Sequence, residues 1–453
     1  MAKTLSLREI QRKYSEPVNA QDYTGVRGIL SKLANPLCSV QLKNNVIMTH
    51  GVGNVIFKRN SIATYIDIYN RLKIADYDEP RFEKNGLLIE QESSTNIFAF
   101  SNEFNRWNKS DGFADVNPDD IIAPDKSETA DRIKVDGSNN QHFITRTFKN
   151  NSVYGLENDK AYTFSMFAKK NALKFIRIRI VNRANSSITA TYDLEDFTVD
   201  YDTSVNLLNA GVRPIADGWC RIFLTFMSGN DSTPVTPYVR LFLLDNNQQQ
   251  TFDGDGAADI LAWGAQLEQR GYMSSYIPTH ASPVKRESDS LWVPFEYNFP
   301  ASSFTIVSEF TFGDTSRDYP LSFETTFNNS QVNIGIYNNI ATKNWWTSGR
   351  TAFISCTSIS SGNYEQTSVG VIPSAELDRQ QKIAMVYNAK DMTMFGCLNN
   401  TKFSIIYPID NPPVLPDSMD GLKLNFGSNG FNGHISSIKI YNEALTTTEL
   451  GVV

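Results

Sequence analysis

Histidine and cysteine are scarce in this chain, with four of each among 453 residues. Cys38, Cys220, Cys356 and Cys397 are scattered and form no C-x-x-C pair, so zinc ribbons and thioredoxin-like redox sites have no basis. The opening MAKTLSLREIQRKYSEP has no apolar h-region. No signal peptide is expected, and the cysteines read as free, buried thiols of a reducing compartment. His50, His142, His280 and His434 are too far apart for an H-E-x-x-H helix, and neither a G-x-S-x-G elbow, a P-loop nor a Rossmann glycine pattern occurs. No apolar run reaches the ~18 residues of a membrane-spanning helix. Positive charge is not in excess either. Lys plus Arg number 42 against 49 Asp plus Glu, a net charge of −7, which argues against nucleic acid as a partner.

Apolar and aromatic residues are present in quantity: 41% and 12%, enough for large cores with many ring contacts. Helix signals sit at the start. Ser6 and Glu9 make a capping box, and Val26, Ile29, Leu30 and Leu33 make one apolar stripe ahead of Asn35-Pro36. Two such short helices cannot bury a core alone, so residues 1–35 read as a helical attachment segment. After Pro36 the period changes from helix to strand. FIRIRIV (175–181) alternates strictly, with Ile176, Ile178 and Ile180 on one face and Arg177 and Arg179 on the other. ITATYDL (188–194), CRIFLTFM (220–227), YVRLFLL (238–244), FTIVSEFTF (304–312), QVNIGIY (331–337), KIAMVY (382–387), LKLNFG (422–427) and HISSIKIY (434–441) read the same way. The expected fold is mostly β: two antiparallel β-sandwiches of jelly-roll type in series behind a short helical and extended N-terminal segment. The polar stretch HASPVKRESDS with Pro294 and Pro300 marks the boundary between them. The divisions are then 1–35 attachment segment, 36–100 extended β arm, 101–285 first sandwich and 286–453 second sandwich.

Three segments resemble a pattern of tailed-bacteriophage structural proteins. They are FKRNSIATYIDIYNRLKIADYDEPRFEKNGLLIEQESSTNIFAFSNEF (57–104), DGWCRIFLTF (217–226) and ILAWGAQLEQRGYMSSYIPTHASPVKRESD (260–289). A basic residue often precedes the Thr-Asn of that pattern; here Ser94 precedes Thr95. The resemblance implies a virion protein whose segments bracket a jelly roll similar to carbohydrate-binding modules. The C-terminal residues KIAMVYNAKDMTMFGCLNNTKF (382–403) and LKLNFGSNGFNGHISSIKIYNEALTTTEL (422–450) resemble concanavalin A-like, laminin-G-type sandwiches. Thr446 and Glu449 form a second capping box there. Many of these motif residues read as core: Leu87, Leu88 and Ile89 as a buried strand, and Trp219 and Trp263 as strand-borne anchors.

A sugar site needs an exposed ring to stack on a pyranose face, with polar groups for the hydroxyls. The candidate ligand-binding residues are Trp345 and Trp346, adjacent in the polar stretch NIATKNWWTSGR, and Trp107 in NEFNRWNKSDG. Asp253, Asp255 and Asp259 in FDGDGAAD are candidate ligands for a structural calcium, although a Gly-Asp-Gly turn explains them equally. No cofactor and no catalytic residue is expected.

The resulting expectation is a non-enzymatic virion protein, assembled in the bacterial cytoplasm and projecting from tail, baseplate, collar or fibre. Its expected partners are other virion proteins through the N-terminal segment, further copies of itself as a homo-oligomer, and host-surface polysaccharide during adsorption. Neither nucleic acid nor membrane insertion is expected. One alternative is a purely structural collar or capsid decoration protein whose lectin-like folds contact only protein. Another is a glycan-cleaving hydrolase of the tailspike type.

Overall fold

The structure is a computed structural model. It describes residues 36–109, 114–148, 155–230, 236–294, 303–312, 317–327, 330–339, 351–360, 363–369, 380–388, 390–391, 393–399, 401–403, 423–426 and 432–451. The helices expected within residues 1–35, and the pair Trp345 and Trp346, lie outside these residues.

The described residues are mostly β and form two antiparallel sandwiches. The alternating stretches became strands with little change of bounds: FIRIRIV is strand Phe175–Val181 and YVRLFLL is strand Tyr238–Leu244. One sandwich stacks a six-stranded sheet on a five-stranded one. The six run in the order Leu207–Pro214, Trp219–Met227, Ala161–Lys170, Asp259–Glu268, Ala130–Val135, Ala114–Ile121. The five run Phe143–Thr147, Tyr238–Leu244, Phe175–Val181, Ser187–Asp193, Thr198–Tyr201. Their facing side chains, among them Phe164, Ile176, Ile178, Ile180, Leu224, Leu241 and Leu267, make one continuous apolar core.

The other sandwich departs from a simple arm-then-domain order. Its nine-stranded sheet places Cys38–Lys43 beside Asn432–Tyr441, with Val46–His50 as the edge strand. Gly86–Glu90 pairs with the same Asn432–Tyr441. Ile56–Lys58 joins the seven-stranded sheet next to Ser290–Pro294. The segment 36–100 is therefore not an extended arm leading only into the first sandwich; its strands Cys38–Lys43, Val46–His50, Ile56–Lys58 and Gly86–Glu90 complete the C-terminal one. The physical reason is pairing. Strands such as CSVQLK, alternately buried and half-buried, satisfy their backbone groups only on a sheet edge, and Asn432–Tyr441 supplies it. The chain visits the C-terminal sandwich first, builds the other as an insertion, and returns.

The crossing points lie side by side. Ser94–Asn96, on the way out, pairs antiparallel with Val284–Arg286, on the way back. A hairpin of Ala63–Ile66 and Leu72–Ala75 extends from this neck. Leu72 packs with Phe167, Trp219, Trp263 and Tyr276 on the outer face of the six-stranded sheet. Trp219 and Trp263 are thus core anchors, each 2% exposed. Thr446 and Glu449 make the expected reciprocal cap on the short helix Thr447–Leu450. Cys38, Cys220 and Cys397 are free and buried. Burial pushes the Cys38 and Cys220 thiols up to about 12, which keeps them protonated and inert.

Candidate functional site

Two of the three segments singled out in the sequence, 57–104 and 260–289, meet at the neck. Arg81 is fully buried there. It bridges Glu90 (Nη1–Oε2 2.7 Å) and Asp289 (Nη2–Oδ2 2.5 Å). Arg59 approaches Asp289 at 3.4 Å and donates to the carbonyls of Ser61 and Asp76. Arg286 reaches Glu90 at 3.3 Å and donates to the carbonyls of Glu287 and Glu92. Ser275 gives both its N–H and its hydroxyl to Glu90, at 2.8 and 2.7 Å. Asp289 also accepts the N–H of Glu90. Three guanidiniums and two carboxylates are thus joined with almost no contact with water.

A second buried layer lies beside it. Glu268 accepts from Ser94 and Ser274 hydroxyls at 2.6 Å each and from Gln266 at 2.9 Å. Asn96 donates to the carbonyls of Ala265 and Ile277, and its own carbonyl accepts from the N–H groups of Phe98 and Leu267. Arg221, from the segment 217–226, donates to the Ser274 carbonyl and the Ser165 hydroxyl. The third resembling segment thereby joins the same neighbourhood. Thr64 bonds the Tyr276 carbonyl at 2.7 Å. Two glycines of these segments have steric reasons. Gly86 has φ +125°, and a Cβ would lie 2.5 Å from the Ile435 carbonyl. Gly264 has φ +64° where the register between Ala161–Lys170 and Asp259–Glu268 shifts, and a Cβ would meet Phe167 and Tyr276.

The electrostatics are those of a clamp. Burial alone would raise the Glu90 carboxyl; the guanidiniums of Arg286 and Arg81 and the Ser275 bonds outweigh it and hold it well below the carboxylate range. Arg81 loses to burial but gains more from Asp289 and Glu90, so it stays charged. All four oxygens of Glu90 and Asp289 already accept a bond. Such a cluster, buried and internally paired, fixes geometry. Beside it, between the sandwiches, a cleft of about 100 Å³ is lined by Tyr65, Glu83, Arg213, Arg221, Met273 and His434. His434 Nε2 and Glu83 Oε2 are 2.8 Å apart on its wall.

The residues singled out from sequence fall elsewhere. Trp107 is 3% exposed and packs against Phe98 and Phe104, at centroid distances of 6.1 and 5.2 Å. A ring enclosed on both faces cannot stack on a sugar, so Trp107 is a core residue. The three aspartates do not converge. Asp255 accepts from the N–H groups of Ala257 and Ala258 and closes its own turn. Asp259 is buried against Arg132 and Asn171, while Asp253 pairs with Asn139 in a two-stranded ladder. Among the described residues no three His, Cys, Asp or Glu side chains come together as metal ligands. The turn reading accounts for FDGDGAAD. The neck ion network was not legible as a unit; its members Arg59, Arg81, Glu90, Arg286 and Asp289 are spread over two segments about two hundred residues apart.

No family model matches the chain, and no curated protein matches it. Solved structures share its general architecture at low similarity. A heptameric SAP-like pentraxin from Limulus polyphemus is 14% identical, with 35% of this chain and 73% of that one covered and a TM-score of 0.26. The CBM40 of the Ruminococcus gnavus IT-sialidase, solved with α2,3-sialyllactose, is 13% identical over 34% of this chain and 82% of that one, with a TM-score of 0.26. A putative carbohydrate-binding protein from Bacteroides ovatus is 12% identical over 65% and 80%, with a TM-score of 0.23. Likenesses of this size carry no argument about ligand or role.

Proposed function

We propose that this chain is a non-enzymatic structural protein of a tailed-phage particle, in which a rigid neck presents a sandwich outward for contact with host-surface glycan. The supporting observation is the place of the resembling segments. Residues 57–104, 217–226 and 260–289 meet around the neck, and Arg59, Arg81, Glu90, Arg286 and Asp289 are joined there in one buried ion network. A segment set that encodes a joint suits a protein whose task is to hold domains at a fixed angle. Residues 1–35 would attach it to the particle or to other copies of itself, and many copies would raise avidity for a repeated surface ligand.

The first test is the mass in solution, by light scattering, of the full chain and of the chain lacking residues 1–35. An oligomer that becomes a monomer on truncation supports assembly through that segment. A second test is immunogold labelling of purified particles; absence of label from intact virions would sink the particle assignment. If labelling succeeds and no glycan is bound, the decoration reading, with contacts only to protein, replaces adsorption.

A further inference from the structure

The outer face of the five-stranded sheet carries a cluster of three arginines that form no ion pair among the described residues. In strand Phe175–Val181 the isoleucines face the core, so Arg177 and Arg179 face outward. In Tyr238–Leu244 the same alternation turns Tyr238, Arg240 and Phe242 outward. The register sets Arg179 directly opposite Arg240 and Arg177 opposite Phe242. Like charges directly across a ladder oppose folding. The floor beneath them is aromatic. Arg179 stands 4.7 Å over the Phe242 ring, and Arg240 stands 4.5 Å over Phe143 and 4.6 Å over Tyr238.

The hydrogen bonds of these guanidiniums go to neutral groups. Arg177 donates to the Thr191 hydroxyl and the Gln250 side-chain carbonyl, and Arg240 to the Thr145 hydroxyl. Arg179 Nε is buried without an acceptor. None of the three forms an ion pair among the described residues. Asp202 bonds Thr189 at the far edge, and Asp200 stands opposite Thr191. Contrast Lys174 nearby, which is paired with Asp193 at 3.5 Å and Glu195 at 3.2 Å. Unlike that lysine, the three arginines have no salt-bridge partner among the described residues; Asp202, bonded to Thr189 opposite Arg179, acts on Arg179 only through space.

We infer that this face binds an acidic polysaccharide through Arg177, Arg179 and Arg240, each guanidinium taking a carboxylate of the polymer. Neighbouring positions across and along the strands lie about 5–7 Å apart, a spacing suited to repeated charges on one chain. Arginine forks match carboxylates in two-point contact, and stacking on a ring pre-orients them. The hydroxyls of Thr145, Thr189 and Thr191 share the rows and can serve sugar hydroxyls. A nucleic acid fits worse, because the chain as a whole carries −7. The inference stands on this face and not on the particle assignment.

The test uses the full chain with polygalacturonate as the probe, and neutral dextran and duplex DNA as comparators, in titration calorimetry. The expected results are binding to polygalacturonate alone, a log–log salt slope of about −2 for three contacts, and at least about tenfold weaker binding for Arg179→Gln and for Arg240→Gln. Hydrogen exchange on the unmodified chain should show protection by the polymer at residues 175–181 and 238–244, which holds even if a variant fails to fold. No binding, protection elsewhere, unchanged affinity in folded variants, or tighter binding to dextran or DNA would each overturn the inference.

Discussion

Glu90 shows what a single residue contributes at the neck. It is 1% exposed and ionised only because Arg286, Arg81 and Ser275 surround it. Removing one partner strands the others, so Arg81→Met should lower stability by about 3–5 kcal/mol, read from the urea midpoint. The sign with pH follows from the depressed carboxyl. Its contribution is complete above the ordinary carboxylate range, near ~4.3, and is lost as pH falls below it. Asp131 behaves in the opposite sense. Burial raises it to about 6, with bonds from the N–H groups of Asp119 and Phe104 offsetting part of the effect. The folded state then holds a proton that the unfolded chain has released, so stability declines as pH rises from about 4 to 6. Asp131→Asn should flatten that slope in melts at pH 4, 5 and 6. An unchanged slope would mean that Asp131 does not titrate there.

At the scale of elements, the strand Gly86–Glu90 is buried at every position, yet it begins with the glycine that lets it start. At φ +125°, with the Ile435 carbonyl where a Cβ would go, Gly86→Ala should cost about 1–3 kcal/mol from backbone strain alone. Comparable denaturation curves for the variant and the unmodified chain would contradict this. Strands such as Phe175–Val181 were legible from alternation, because one face is half-exposed and the other dry. The cap on Thr447–Leu450 was legible from Thr446 and Glu449, because a capping box is a local device. Trp107 was not, since an indole in a polar stretch reads as exposed until Phe98 and Phe104 are known to enclose it. The aspartates of FDGDGAAD were open to two readings, and only the positions of their oxygens separate a turn from a metal loop.

For the whole molecule, the neck couples two sandwiches through two chain crossings and one ion network. Asp289 touches Arg59, Arg81 and the Glu90 backbone, and so ties the returning strand to the outgoing one. Differential scanning calorimetry should show one transition for the unmodified chain, and two for Asp289→Ala as the sandwiches melt separately. A single transition at an unchanged midpoint in the variant would show that the network does not couple them.

The sequence by itself determined the strand content, the two sandwich-sized regions, the buried tryptophans of the strands and the terminal cap. Each of these rests on neighbours within a few residues, where periodicity and local hydrogen bonding act. Only the tertiary structure decided that Cys38–Lys43 and Gly86–Glu90 pair with Asn432–Tyr441, that Arg59, Arg81 and Arg286 share two carboxylates, and that Arg179 lies opposite Arg240. Those outcomes depend on register and on contacts between segments distant in the chain, and one residue's slip in pairing would reverse every face.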